Sequence, residues 1–208
     1  MMKAVIFDLW GTLAYNKNHI GSYIQKITDI IGSENTEKFK ELRKEWYIHN
    51  YSSEEFFSKL VNKINKPEPF KDELIRIWNS QIKEAMLYND TINILESLKK
   101  RNIKIILISN TTPISNDIIR KLNIQGYFNI ILFSCNEGIL KPSPIIYQKI
   151  LTRLNLKPEE IIAIGDQIST DIQGAETYGI KALLLDRENK QSYKNKIYEL
   201  EEVEFFLR

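Results

Sequence analysis

The sequence contains few of the residues that build cross-linked or thiolate-bound proteins. Its 208 residues include one cysteine, Cys135, and two histidines, His19 and His49. A single cysteine cannot form an intramolecular disulfide or a cysteine-based metal cage. Two histidines far apart in the chain do not indicate a zinc cluster. A disulfide framework and a thiolate metal site are therefore excluded.

Long apolar runs and a surplus of charge are also missing. No apolar run approaches the roughly 20 residues that span a bilayer, and Met1–Lys3 leads into a strand-like stretch without a signal peptide. Lys and Arg total 29 against 27 Asp and Glu, and no run of like charge exceeds a few residues, which disfavours nucleic-acid binding. We expect a cytoplasmic protein with a small-molecule substrate that binds neither nucleic acid nor membrane; the oligomeric state is left open.

What the sequence does contain is a series of short, continuously apolar runs separated by helical periodicity. Such runs are typical of buried parallel strands. The predicted strands are Ala4–Phe7, Ile103–Ile108, Ile130–Phe133, Ile161–Ile164 and Ala182–Leu185. Alternation of strands and helices predicts an α/β fold with a Rossmann-like parallel sheet.

One segment interrupts this alternation. Residues 16–87 lack a comparable strand signal and contain at least three amphipathic helical stretches, one of them opened by a capping box at Ser52–Glu55. A segment of this length between two strands is too long for a loop. We predict an α/β core at residues 1–15 and 88–208, with a helical cap inserted at residues 16–87.

Polar residues follow four of the predicted strands. Ligands of open parallel sheets bind at the carboxyl ends of the strands, so these residues are expected to gather at one edge. They contribute carboxylates, a hydroxyl and a lysine, which suit a divalent cation and a phosphate-like anion. The segments are Asp8–Leu13, Ser109–Thr112, Lys141–Pro142 and Gly165–Asp171.

Together, these four segments resemble the four motifs of the haloacid dehalogenase (HAD) superfamily of aspartate-nucleophile hydrolases. The resemblance implies that Asp8 is the catalytic nucleophile. It also implies a Mg²⁺ site formed by Asp8, the backbone carbonyl of Trp10, Asp166 and Asp171. Asp171 has an alternative interpretation, as the N-cap of a short helix that ends at Gly179.

The same resemblance assigns the phosphate-binding residues. These are Gly11, Thr12, Ser109, Asn110 and Lys141. Ser109 and Lys141 are also expected to be catalytic, because a hydroxyl donor and a compact positive charge can hold the transferring group.

The first motif departs from the family pattern at Trp10. Phosphatases of the superfamily have Asp there as general acid and base, whereas an indole cannot transfer a proton. Haloacid dehalogenases carry an aromatic residue at this position, and Arg43 followed by Tyr47 loosely resembles their halide-handling region. Asp166, however, stands where dehalogenases have no metal-binding carboxylate.

Three functions therefore remain open. The retained metal motif favours a Mg²⁺-dependent phosphatase acting on a small phosphorylated metabolite through an aspartyl-phosphate. The alternatives are a metal-independent 2-haloacid dehalogenase that uses the same nucleophile, and a catalytically impaired protein that binds a phosphometabolite. His49 is a candidate substitute proton donor. Four aromatic residues of the insertion are candidates for the cavity wall, although core packing is the stronger expectation: Trp46, Tyr47, Tyr51 and Trp78.

Overall fold

A computed structural model of the chain describes residues 1–18 and 20–207. Six parallel strands form one sheet in the order β5-β4-β1-β6-β7-β8. They are β1 Ala4–Phe7, β4 Lys104–Ser109, β5 Ile130–Phe133, β6 Ile161–Gly165, β7 Lys181–Leu185 and β8 Lys196–Ile197. The chain leaves β1 toward β4 on one side and later returns to β6 on the other. The strand order thus reverses next to β1, the position where open α/β sheets bind ligands.

Alternating residues of the strands face two separate hydrophobic layers. In β1, Val5 and Phe7 pack in one layer, whereas Ala4 and Ile6 pack in the other. Both faces are buried, which explains why the strands are apolar throughout. The helices around the sheet are α5 Thr91–Lys100, α6 Ile114–Lys121, α7 Ser134–Glu137, α8 Pro144–Leu154 and α9 Gln173–Thr177. The C-terminal segment joins the first layer through Val203 and Leu207.

Between β1 and β4 lies a segment of four helices, which we call the four-helix segment. Its helices are α1 Ile20–Ile31, α2 Thr36–Trp46, α3 Ser53–Lys63 and α4 Pro69–Glu84. They enclose their own apolar cluster, in which the ring of Trp46 stacks on Phe56 at 3.8 Å between centroids. The capping box predicted at Ser52 is present, since the Ser52 hydroxyl accepts from Glu55 N–H at 3.1 Å.

The ends of the four-helix segment differ from the sequence prediction. A short antiparallel pair, β2 Ala14–Asn16 and β3 Ala85–Leu87, joins the two chain passages. The apolar periodicity of the sequence predicts a last helix at Asp72–Met86, whereas in the structure this helix begins at Pro69 and ends at Glu84. Strands of three residues are too short to produce an alternating pattern, so the sequence did not reveal them.

Two predicted helix caps also differ. Asp90 and Ser143 precede α5 and α8 as expected, but neither side chain caps its helix. The helix expected from Asp171 starts earlier, as a π-helical turn at Ile168–Ile172. Gly179 follows α9 with φ +79°, the left-handed conformation that favours glycine at a helix end. Within the described residues, every helix is too short or too polar to cross a membrane.

Candidate active site

Asp8 follows directly on β1 at the carboxyl edge of the sheet. Its backbone N–H donates to Ile164 O at 3.0 Å, which ties the end of β1 to the end of β6. The chain then turns sharply at Gly11, whose φ is +76°. The side chain of Asp8 is buried and lies beside the turn.

Lys141 is the centre of the buried polar cluster. Its Nζ donates to Asp8 Oδ1 at 2.5 Å and to Asp171 Oδ1 at 2.7 Å. A third bond of 3.0 Å goes to the carbonyl of Ile108, near the end of β4. All three ammonium hydrogens therefore have acceptors, and the lysine links three segments that lie far apart in the sequence.

Asn110 fixes the backbone of Lys141. Its Nδ2 donates to Lys141 O at 2.9 Å, and its Oδ1 accepts from Lys141 N–H at 2.8 Å. The sequence suggested that this amide binds phosphate. The structure instead shows both of its polar atoms engaged with the lysine backbone, although the residue also faces the cavity described below.

The π-helical turn after β6 presents Asp171 to Lys141. Asp171 Oδ2 accepts from the backbone N–H of Gln167 at 3.0 Å, while its Oδ1 binds Lys141. Its place inside the turn rules out the N-cap interpretation. Short π-helical turns are frequent at functional sites because they redirect a side chain.

Asp166 completes a set of three carboxylates. One oxygen each of Asp8, Asp166 and Asp171 lies within 4.8 Å of the others. Asp166 Oδ1 is buried and has no hydrogen-bond partner among the described residues. A side chain at Gly11 would overlap the carboxylate of Asp166, so only glycine permits this close approach. A buried carboxylate without a partner is the arrangement that a bound cation stabilises.

Burial and charge shift the titration of these groups. Burial raises the pKa of Asp8 to about 6, with Lys141 opposing the change and Asp171 adding to it. Burial, followed by the charges of Asp8 and Asp171, raises the pKa of Asp166 to about 7. Burial alone would lower the pKa of Lys141, but the two carboxylates outweigh it and hold that pKa above its usual value. The lysine therefore stays charged.

The two residues whose hydroxyls were predicted to bind phosphate, Thr12 and Ser109, are buried. Thr12 is buried, and its Oγ1 has no hydrogen-bond partner in the described chain. Ser109 is buried at the end of β4. Thr111, which the sequence did not single out, is held by Ser134, whose Oγ accepts from Thr111 N–H at 2.9 Å. The loop after β4 is thus fixed by a hydrogen bond to Ser134 on α7.

A cavity of about 460 Å³ lies between the carboxyl edge of the sheet and the four-helix segment. Its core-side wall includes Gly11, Asn110 and Asp166. Five aromatic residues also line it: Trp10, Tyr15, Tyr47, Trp78 and Tyr88. Cavities of this size bind small molecules.

Arg187 braces the junction between the core and the four-helix segment. Its guanidinium binds both oxygens of Asp90, at 2.7 and 2.9 Å, and donates to Thr12 O at 3.1 Å. It also lies 4.0 Å from the ring centroid of Tyr88. Asp90 accepts in addition from Leu200 N–H at 2.9 Å. The sequence offered no signal for this contact, because its members are distant in the chain.

Other candidates from the sequence lie elsewhere. His49 is exposed and does not line the cavity; its Nδ1 is 2.9 Å from Glu45 O. His19 lies outside the described residues. Of the four aromatic candidates in the insertion, Tyr47 and Trp78 line the cavity, whereas Trp46 and Tyr51 do not. Arg43 Nη1 is buried without a partner among the described residues.

Comparisons with known proteins identify relatives of the chain. The chain is 28% identical over 191 residues to the phosphoglycolate phosphatase of Aquifex aeolicus, covering 88% of this chain and 84% of that protein. It is 29% identical over 110 residues to the ribulose-1,5-bisphosphate 5-phosphatase of Halopiger xanaduensis, covering 52% of this chain and 46% of the relative. That match spans less than half of the relative's length.

The fold also matches a solved structure. The 2-haloacid dehalogenase from Pseudomonas syringae pv. Tomato has a TM-score of 0.79 at 20% identity, with 100% of this chain and 98% of the other covered. A model of haloacid dehalogenase-like hydrolases matches residues 2–179. The resemblance noted in the four motifs is thereby confirmed: the protein belongs to the haloacid dehalogenase-like hydrolase family.

Proposed function

We propose that the protein is a Mg²⁺-dependent phosphatase that hydrolyses a small phosphate monoester through an aspartyl-phosphate at Asp8. The observation that carries the proposal is the buried cluster of Asp8, Asp166, Asp171 and Lys141. With every group ionised, three carboxylates and one ammonium leave two negative charges in a buried place. A divalent cation balances that charge, whereas a dehalogenation site has no need of it.

The cation would be held by Asp8 and Asp166, with the backbone carbonyl of Trp10 as a further ligand. Asp171 is already bonded through both oxygens, to Lys141 and to the Gln167 N–H. We therefore assign it mainly to the placement of Lys141, within reach of the cation. When bound, magnesium would neutralise charge on the phosphoryl oxygens and favour the ionised form of Asp8.

Asp8 acts as the nucleophile in this proposal. Lys141 binds Oδ1, so Oδ2 is the oxygen that attacks phosphorus. The Oδ2–P bond forms as the P–O bond to the leaving group breaks, and that oxygen departs with the electron pair. Water then attacks the phosphorus of the aspartyl-phosphate: its O–P bond forms as the P–Oδ2 bond breaks with the electron pair on Asp8, and the proton of the water passes to solvent. Inorganic phosphate is released and the Asp8 carboxylate is restored.

Two further features support the proposal. The relatives matched over most of the chain include a protein named as a phosphatase. The four-helix segment faces the carboxyl edge across the cavity, so we propose that residues 16–87 act as a cap over a core formed by residues 1–15 and 88–208. Such a cap excludes water and selects the substrate.

Hydrolysis of 4-nitrophenyl phosphate tests the proposal. We expect turnover with Mg²⁺, its loss on addition of a chelator, and its loss in Asp8→Asn. Asp72→Asn is the matched control, because Asp72 is an exposed carboxylate on α4, and it should behave as the wild type.

Other outcomes would favour the alternatives raised by Trp10. Halide release from a 2-haloacid in the presence of chelator would replace the proposal with dehalogenation. Phosphate-dependent thermal stabilisation without any product, across a broad panel of esters, would indicate a binding protein instead.

A further inference from the structure

We propose that the substrate is the phosphate monoester of a phenol or of a similarly acidic aromatic alcohol. This inference rests on the proposed phosphatase function and names the class of its leaving group. Two observations lead to it: the aromatic lining of the cavity, and the indole two positions after the nucleophile, where a proton donor is needed for poor leaving groups.

The cavity has two chemically different sides. On the core side, Gly11, Asn110 and Asp166 lie beside the carboxylate cluster that would hold the phosphoryl group. The rest of the lining carries the five aromatic side chains, of which Trp10 belongs to the core loop, together with polar residues such as Asn16 and Gln81. A phosphate monoester bound with phosphorus against Asp8 therefore points its organic part toward aromatic rings.

The aromatic side is held firmly. The rings of Tyr15 and Tyr88 pack at 4.9 Å between centroids, and Arg187 lies against Tyr88. Trp78 packs at 5.1 Å against Trp46 in the apolar cluster of the four-helix segment. Rings fixed in this way form a ready surface for offset or edge contacts with an aromatic ligand.

The volume fits one ring beside a phosphoryl group. An apolar cavity of roughly 150 Å³ can hold benzene, and this cavity measures about 460 Å³. Of the described lining residues, Asp166 is the one acidic residue and none is basic. These residues therefore offer no ion pair to an anionic leaving group.

Trp10 supplies the second argument. An indole N–H can donate a hydrogen bond but cannot transfer a proton, and general acid catalysis contributes about 10²–10⁴ in rate. A phenol is acidic enough to leave as phenolate. The P–O bond then breaks with its electron pair on the phenolic oxygen, and solvent protonates the product after departure.

Three esters of similar size separate ring recognition from leaving-group acidity. Phenyl phosphate has an aromatic and acidic leaving group, benzyl phosphate an aromatic but poorly acidic one, and cyclohexyl phosphate neither property. With Mg²⁺ we expect kcat/KM, which reports the transfer of the phosphoryl group to Asp8, to be at least about 100-fold higher for phenyl than for benzyl phosphate. We expect KM to be lower for both aromatic esters than for the cyclohexyl ester.

Two variants assign these effects to residues. Trp10→Asp should raise kcat/KM for benzyl phosphate relative to phenyl phosphate by about tenfold or more. Tyr88→Leu should raise KM for the aromatic esters by about threefold to tenfold and change KM for the cyclohexyl ester little. Tyr198→Leu is the matched control, because Tyr198 is exposed and does not line the cavity.

The outcomes distinguish this inference from the function on which it rests. If no phosphate ester is turned over with Mg²⁺, the phosphatase proposal itself fails. If esters are turned over but cyclohexyl phosphate, or a carboxylate-bearing ester such as phosphoglycolate, is handled as well as phenyl phosphate, the phosphatase stands and the aromatic substrate class is overturned.

Discussion

Asp166 is the residue whose environment has the clearest energetic cost. Its Oδ1 is buried and unpartnered within the described chain, and its pKa is raised from 3.8 to about 7. A carboxyl group with a higher pKa in the folded state binds more protons when folded than when unfolded. The free energy of unfolding therefore decreases as pH rises through the window from about 4 to about 7.

This gives a prediction for metal-free protein. Asp166→Asn removes the charge, so in chelator at pH 8 we expect it to be more stable than the wild type by roughly 2–4 kcal/mol. The difference should shrink as the pH is lowered toward 4. Urea unfolding across this pH range measures it, and Asp72→Asn controls for loss of a carboxylate elsewhere.

Magnesium should stabilise the wild type relative to the Asp166→Asn variant. An ion that binds only the folded state stabilises it in proportion to the logarithm of its concentration, and Asp166→Asn removes a proposed ligand. We expect Mg²⁺ to stabilise the wild type and the Asp72→Asn control, but not Asp166→Asn. A variant no more stable than the wild type in chelator at pH 8 would contradict this account of Asp166.

At the scale of elements, Arg187 connects β7 to both chain passages that enter the four-helix segment. It binds Thr12 O on one passage and Asp90 just beyond the other. The ion pair is mostly buried, with side-chain exposures of 21% and 10%. Removing one partner of such a pair leaves the other charge without compensation.

We expect Arg187→Met to lower the free energy of unfolding by about 3 kcal/mol. In a double-mutant cycle with Asp90→Asn, the sum of the stability losses of the two single variants should clearly exceed the stability loss of the double variant. Additive losses would show that the pair contributes nothing as a pair. Arg153→Met on α8 is the control, since Arg153 is exposed.

The same scale shows what sequence alone could predict. The core strands were identified because burial on both faces requires uninterrupted apolar residues, as in Ile161–Gly165. Strands β2, β3 and β8 have only two or three residues each. So few residues cannot show the alternation of apolar and polar side chains that predicts a strand. The sequence places the start of α4 too late because the two prolines within Lys66–Phe70 indicate a break, although Pro69 was a usable start signal.

The proximity of two site residues could be predicted from sequence order where each residue directly follows a strand. Asp8 and Asp166 come directly after β1 and β6, so their proximity follows from parallel pairing. The contact of Lys141 with Asp171 could not be derived, because it depends on the π-helical turn. The contact of Asn110 with the backbone of Lys141 could not be derived either, because an amide side chain can bind a phosphate as well as backbone groups.

At the scale of the whole molecule, α6 joins the two parts of the protein. Ile118 belongs to the apolar cluster of the four-helix segment, whereas the next residue, Ile119, belongs to the first layer of the sheet. Ile114 also packs in the cluster of the four-helix segment. One short helix is therefore shared by both hydrophobic cores.

We expect this sharing to make unfolding cooperative. The wild type should unfold in one calorimetric transition, and Ile118→Ala should cost about 2–5 kcal/mol and broaden the transition. Ile145→Ala is the control: Ile145 is 52% exposed and should change stability by less than about 0.5 kcal/mol. Two well-separated transitions in the wild type would contradict the shared core.

The position of α6 also links recognition at the two ends of a substrate. The loop from β4 into α6 contains Asn110, which holds the Lys141 backbone, and Thr111, which lines the cavity. The same helix packs against α4, which carries Trp78 of the cavity lining. A displacement of α4 would therefore be passed through α6 to the loop that holds the backbone of Lys141.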